Sequence, residues 1–178
     1  MTDKPCAGDD CGYYQKGIPA YHGFGGGEKV FLFEFSMPEH KNCPDFNRNM
    51  PAIWALNAKI PRTAQYGKKA GGDGQLTCSC WDTGCGEIDL FEVLKDADDF
   101  MKTHYHSKQG AVGGYGGGGN PDFFDRPYTS SVQAAVVFSP TGSVTITILG
   151  KQIDFSKGLN KDSIAQYKKQ VSVFRVPT

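Results

Sequence analysis

Apolar residues along the chain fall in short runs rich in strand formers, separated by polar and glycine-rich stretches. No long stripe repeats at the helical period. The first run, Glu28-Lys-Val-Phe-Leu-Phe-Glu-Phe-Ser-Met37, is stopped by Pro38 and predicts a strand. A polar loop, Pro38 to Asn49, leads to Met50-Pro-Ala-Ile-Trp-Ala-Leu-Asn57, short and apolar enough for a buried strand. Residues 58–86 read as one long connection, and loops of that length are usually functional or stapled. Glu87-Ile-Asp-Leu-Phe-Glu-Val-Leu94 is the next strand, Lys95 to Lys102 a polar stretch suited to one helical turn, and Thr103 to Ser107 a further strand. After the glycine-rich loop Gly110 to Asn120, Gln133–Ser139 and Val144–Leu149 flank the turn Pro140-Thr-Gly-Ser143 and predict a hairpin. Asp162–Lys169 predicts a short helix and Val171–Val176 a closing strand.

Long apolar strands joined by long loops predict an all-β chain, an antiparallel β-sandwich or jelly roll. Neither an internal repeat nor a domain boundary is visible, so residues 1–178 read as one domain, with 1–27 an irregular lead-in that Cys6 and Cys11 could close on itself. Composition agrees: 23 glycines are about 13% of the chain against a usual value of about 7%. Lys plus Arg and Asp plus Glu are both 19, so the formal charge is zero. That removes the basic face by which a general nucleic-acid binder displaces counterions. No window approaches 18 consecutive apolar residues, so no spanning helix is expected.

Six cysteines, Cys6, Cys11, Cys43, Cys78, Cys80 and Cys85, favour disulfides and an oxidising compartment. Zinc held by Cys78, Cys80 and Cys85 with His104 or His106 is the competing reading. Structural zinc sites prefer two separated ligand pairs, which C-x-C-x4-C does not supply. The opening Met1-Thr-Asp-Lys-Pro5 lacks the succession of a signal peptide, so secretion would imply a segment trimmed from a longer precursor.

The densest acidic cluster is Glu87-Ile88-Asp89-Leu90-Phe91-Glu92. Alternation puts Glu87 and Asp89 on one face and Glu92 on the other. One extra residue at Leu90 or Phe91, a β-bulge, would return Glu92 to their face. Three carboxylates together repel, raising at least one pKa, and a raised acid beside an ionised carboxylate is what a glycosidase requires. A bare E-x-D-x-x-E is more often an exposed acidic edge, but three acids in a strand as apolar as this one are costly without a purpose. Gly114-Tyr-Gly-Gly-Gly-Gly119 satisfies G-x-G-x-x-G, yet Asn120-Pro121 opposes the helix a dinucleotide site needs. A loop at a cleft rim fits better.

Glu87-Ile-Asp-Leu-Phe-Glu92 resembles the E-x-D-x-x-E signature of glycoside hydrolase family 16, which includes laminarinase-type β-1,3-glucanases. Met50-Pro-Ala-Ile-Trp-Ala-Leu56 resembles that family's W-P-A-x-W strand, with Met50 where Trp is usual. Cys11-Gly-Tyr-Tyr, Gly17 to Phe24, Lys29 to Pro38, Met50 to Gly67 and Cys78 to Glu87 are similar to the fungal Tos-like cell-wall proteins, in which this block is the C-terminal part of a longer secreted chain. The resemblance implies a concanavalin A-like jelly roll with Glu87 as nucleophile, Glu92 as general acid/base and Asp89 orienting Glu87. Retention needs the two carboxyls roughly 5–5.5 Å apart. Trp54 is either a glucosyl-stacking residue or a core tryptophan; Trp81 either stacks on sugar or packs over the disulfides. One of His104 and His106, on one strand face, would support Glu92, with His106 preferred on position, and satisfied structural histidines are the alternative. Glu34 and Asn57 either touch sugar hydroxyls or face water. The expectation is a secreted or cell-wall, monomeric endo-acting glucanase whose partner is β-glucan, with no cofactor or metal and no nucleic-acid or membrane partner. Alternatives are a transglycosylase sharing the covalent intermediate, a non-catalytic β-glucan-binding wall protein, and a plain structural wall domain.

Overall fold

The computed structural model describes residues 2–40, 49–62, 78, 80, 85–106, 123–169 and 173–175. Its strands are β1 (Lys29–Phe35), β2 (Ala52–Leu56), β3 (Glu87–Glu92), β4 (Phe100–His106), β5 (Phe123–Asp125), β6 (Val132–Phe138), β7 (Ser143–Ile148) and β8 (Val173–Arg175). Two helices accompany them, α1 (Lys59–Arg62) and α2 (Lys161–Lys169). The strands form two four-stranded sheets, ordered β1-β6-β7-β8 and β2-β3-β4-β5, with antiparallel pairing throughout.

One core cluster draws on both sheets: Ala134, Val136, Val144 and Ile146 from the first, and Ile88, Leu90, Phe91 and Met101 from the second, with Phe31, Phe33 and Phe35 packed against them. The chain is therefore an all-β sandwich, as the apolar runs predict. Phe91 is fully buried, and its ring meets those of Phe35, Phe124 and Phe33 at 4.9, 5.4 and 6.4 Å. Phe91→Ala is expected to cost about 3–5 kcal/mol, because it removes an aromatic payload and leaves a cavity, and the denaturant midpoint reads that loss.

The outer face of the first sheet is covered as well. Tyr167 of α2 packs with Ala135 and Val137, beside Val30 and Leu32, which explains why β6 is apolar on both faces. Asn160 Oδ1 accepts the Ser163 amide at 2.8 Å and caps α2. The acidic motif lies on the outer face of the second sheet, where Ile60, Cys78 and Cys80 pack beside Leu56.

Some elements differ from expectation. The polar stretch Lys95–Lys102 is not a helical turn. A tight turn at Lys95–Asp98 is followed at once by β4, because Met101 is drawn fully into the core. Inside the long connection, α1 forms where Asn57 Oδ1 caps the Lys59 amide and Ile60 is fully buried. β5 is too short for alternation to reveal, although Phe124 reaches the core. The lead-in is irregular, with a Pro5–Tyr21 bridge and the Cys6–Cys11 disulfide. Arg62 ties it down by donating to the carbonyls of Tyr21 and Cys11. The loop Gly110–Asn120 lies outside the described residues.

Candidate active site

Strict alternation along Glu87–Glu92 would bury Glu92 and expose Phe91. The pairing avoids both. Ile53 faces Phe91 while its neighbour Trp54 faces Asp89, so Leu90 is passed over. On the other side Asp89 pairs with His104 and Glu92 with Lys102, three steps on β3 against two on β4. This is the expected bulge. It sends Leu90 and Phe91 together into the core and returns Glu92 to the face of Glu87 and Asp89. The fully enclosed Thr103 donates its hydroxyl to the Leu90 carbonyl at 2.8 Å, satisfying an acceptor within the bulge.

Register fixes the neighbours of the three carboxylates. Directly opposed residues share a face, so Trp54 and Leu56 flank Asp89 and Glu87 from β2, while Lys102, His104 and His106 flank Glu92, Asp89 and Glu87 from β4. Glu87 and Asp89 are buried and Glu92 is partly exposed. His106 Nε2 lies 2.9 Å from Asp89 Oδ2, and the Asp89 and Glu92 side chains share a hydrogen bond. Burial, then the negative charge of Asp89, pushes the Glu92 carboxyl up to about 7. The hydrogen bond to Asp89 raises the His106 pKa and favours its imidazolium. His104 moves the other way, lowered by burial and then by the charge of His106. The two rings stack at 6.0 Å.

The histidine roles differ from expectation. His106 pairs with Asp89, and His104 brings Nδ1 to 4.0 Å from Glu92. That atom is buried with no hydrogen-bond partner. Trp54 is not a core residue: it is 49% exposed on the carboxylate face. Glu34 is not in the cleft. It alternates with the core-facing Phe33 and Phe35, and so lies on the outer side of the other sheet, where Gln133 Nε2 donates to it at 2.8 Å. The Asn57 side chain caps α1, yet Asn57 also lines a cavity of about 810 Å³ together with Phe24, Trp54, Leu56, Glu87 and Tyr105. Trp81 lies outside the described residues.

Cysteine usage is also partly corrected. Cys6 pairs with Cys11 and Cys78 with Cys85. Cys80, expected in a bridge, carries a free and fully buried thiol. Nothing in C-x-C-x4-C says which of the three sulfurs stays free, so the spacing alone could not have identified it. Cys43 lies outside the described residues. With Cys78 and Cys85 bridged, their sulfurs cannot serve as zinc thiolates. Ligand atoms of Glu87, Asp89 and His106 lie within 4.8 Å of one another. Two of the three, His106 and Asp89, are joined directly at 2.9 Å.

Gly86 sets the entry into β3. Its φ is +87°, and a Cβ there would meet the Tyr105 hydroxyl at 2.9 Å. Glycine is favoured, because a side chain at that φ would be strained and would press on the Tyr105 ring.

The family described as cell wall protein YJL171C/Tos1, C-terminal, matches residues 1–167. A Saccharomyces cerevisiae protein named "Probable circularly permuted 1,3-beta-glucanase TOS1" is 47% identical over 169 residues, covering 94% of this chain and 34% of its own length. Its Candida albicans namesake is 44% identical over 163 residues, covering 90% of this chain and 33% of that protein. An Arthroderma benhamiae protein named "Probable circularly permuted 1,3-beta-glucanase" is 39% identical over 168 residues, covering 92% of this chain and 36% of its own. The chain thus spans about a third of the length of these curated relatives. No solved structure matches it. With nearly its whole length matched, the chain belongs to the YJL171C/Tos1 C-terminal family of cell wall proteins.

Proposed function

We propose that this chain carries the active site of a retaining, endo-acting β-1,3-glucanase of the cell wall. The observation that supports it most is the bulge that gathers Glu87, Asp89 and Glu92 on one face of the sheet, with Glu92 held up to about 7 beside its buried neighbours. Glu87 attacks the anomeric carbon while protonated Glu92 gives its proton to the departing glycosidic oxygen. The bond from sugar to oxygen breaks as the bond to Glu87 forms. Esterified Glu87 no longer carries a negative charge, and that charge is one cause of the raised Glu92 value. Glu92 therefore becomes more acidic in the intermediate, where it must take a proton from water. Asp89, bonded to both His106 and Glu92, holds the acid in place and returns the charge balance.

The relatives' names point to the same polysaccharide, and the two disulfides fit an oxidising, extracellular setting. Trp54, half exposed beside Asp89, supplies a ring for a glucosyl unit. Trp54→Ala is expected to raise KM for laminarin about tenfold while leaving the melting temperature nearly unchanged. The test of the reading is product analysis of the full protein acting on laminarin, with the first-formed anomer followed by proton NMR. A β-anomer released first, in short oligosaccharides, is the expected result. Products longer than the donor would indicate transglycosylation, and no turnover with retained glucan binding would leave a wall-binding module.

A further inference from the structure

We propose that Cys80 is a positioning residue of this site, its buried thiol donating a hydrogen bond to Oε2 of Glu87. The inference rests on Glu87 being the nucleophile and extends it to the group that aims the carboxylate.

The thiol sulfur lies 3.6 Å from Glu87 Oε2, a normal reach for a sulfur donor. Cys80 is fully enclosed, and its flanking cysteines Cys78 and Cys85 are bridged. The bridge closes a short loop that runs through Gly86 directly into Glu87, so it seats the third cysteine over the carboxylate at the start of β3. A bond at Oε2 fixes the carboxylate plane, which is the condition for aiming a lone pair at the anomeric carbon. Burial, then the charge of Glu87, pushes the thiol up to about 12, so the sulfur keeps its proton across the working range. Because a thiol is a weak donor, it orients the oxygen while costing less nucleophilicity than a hydroxyl or amide would.

Other charged groups also bear on Glu87. Asp89 and Glu92 lie on its own strand, His106 pairs opposite it on β4 with Tyr105 beside it, and Lys29 of β1 lines the shared cavity. β2 faces it with Leu56, which does not titrate. None of these is altered by a change at Cys80, so a variant there reads the thiol alone.

The experiment compares parent, Cys80→Ala and Cys80→Ser, each confirmed as cooperatively folded. The acid limb of kcat/KM on laminarin is measured beside the ¹³C titration of the Glu87 carboxyl. Loss of the donor in Cys80→Ala is expected to raise both by about half a pH unit or more and to lower kcat severalfold. Cys80→Ser, a stronger donor, is expected to bring both back to or below the parent values. An unmoved limb and titration in folded Cys80→Ala would overturn the proposal and leave Cys80 as a space-filling residue. Should Cys80→Ala not fold, the parent's infrared S–H band decides. A band that shifts in Glu87→Ala, which removes the acceptor, supports the bond, and one that does not overturns it. If the parent itself shows no turnover, the glucanase reading fails, while the titration and the infrared band still judge the hydrogen bond.

Discussion

Glu87→Gln is expected to lower turnover of β-1,3-glucan by about a thousandfold or more, with glucan binding retained. The nucleophile has no substitute: Asp89, the next carboxylate on the face, is engaged by His106 at 2.9 Å and by Glu92. Glutamine keeps the size of the side chain and the acceptor for the Cys80 thiol, so the loss reports the missing charge rather than collapse of the site. A sharper form of the prediction uses Glu87→Ala with added azide. The small anion enters the space left by the carboxylate, and an α-glycosyl azide is the expected product. An inactive variant that also loses glucan affinity would instead point to a structural role for Glu87.

Activity is expected to fall as pH rises through about 7, because Glu92 must carry a proton to release the leaving group. Glu92→Gln removes that limb and lowers kcat by about a hundredfold or more on glucan, but far less on aryl glucosides whose leaving group departs unaided. Stability changes in the same sense. Folding raises the Glu92 value from 4.5 to about 7, so the folded state prefers the uncharged form. The contribution of Glu92 is therefore most favourable below pH 4.5 and is lost as pH climbs through about 7. Glu92→Gln, uncharged at every pH, is expected to melt several degrees above the parent at pH 8 and close to it at pH 4. Equal melting temperatures at both values would contradict the raised pKa.

How much of this could be read from the chain depends on what kind of signal each feature leaves. The hairpin β6–β7 and strands β1 and β3 announce themselves, because their apolar runs are long and bounded by turn residues. The bulge was legible because a buried strand carrying E-x-D-x-x-E has only one way to keep Leu90 and Phe91 inside and every carboxylate on one face. β5 has three residues and so offers no period. The start of β4 was hidden because Asp98 and Asp99 read as polar loop, whereas Met101 two residues later fixes the strand. Site residues supplied by neighbouring strands depend on register, which the pattern of a single strand does not reveal. The preference for His106 beside Glu92 failed for that reason, since Asp89 intercepts it. For Glu34, alternation gives two faces without saying which sheet surface each becomes, and of its two readings the structure places it on the outer side of the other sheet, exposed and bonded to Gln133. Cys80 was hidden among three sulfurs of equal standing.

As nucleophile, Glu87 is expected to form a covalent bond to sugar. The most direct measurement incubates the full protein with a laminaribiosyl fluoride bearing fluorine at C2, which slows hydrolysis of the intermediate, and then maps peptides by mass spectrometry. One added disaccharide is expected on the peptide containing Glu87, with no label in Glu87→Gln. A label on a different carboxylate, or turnover of laminarin by a parent that never labels, would contradict it.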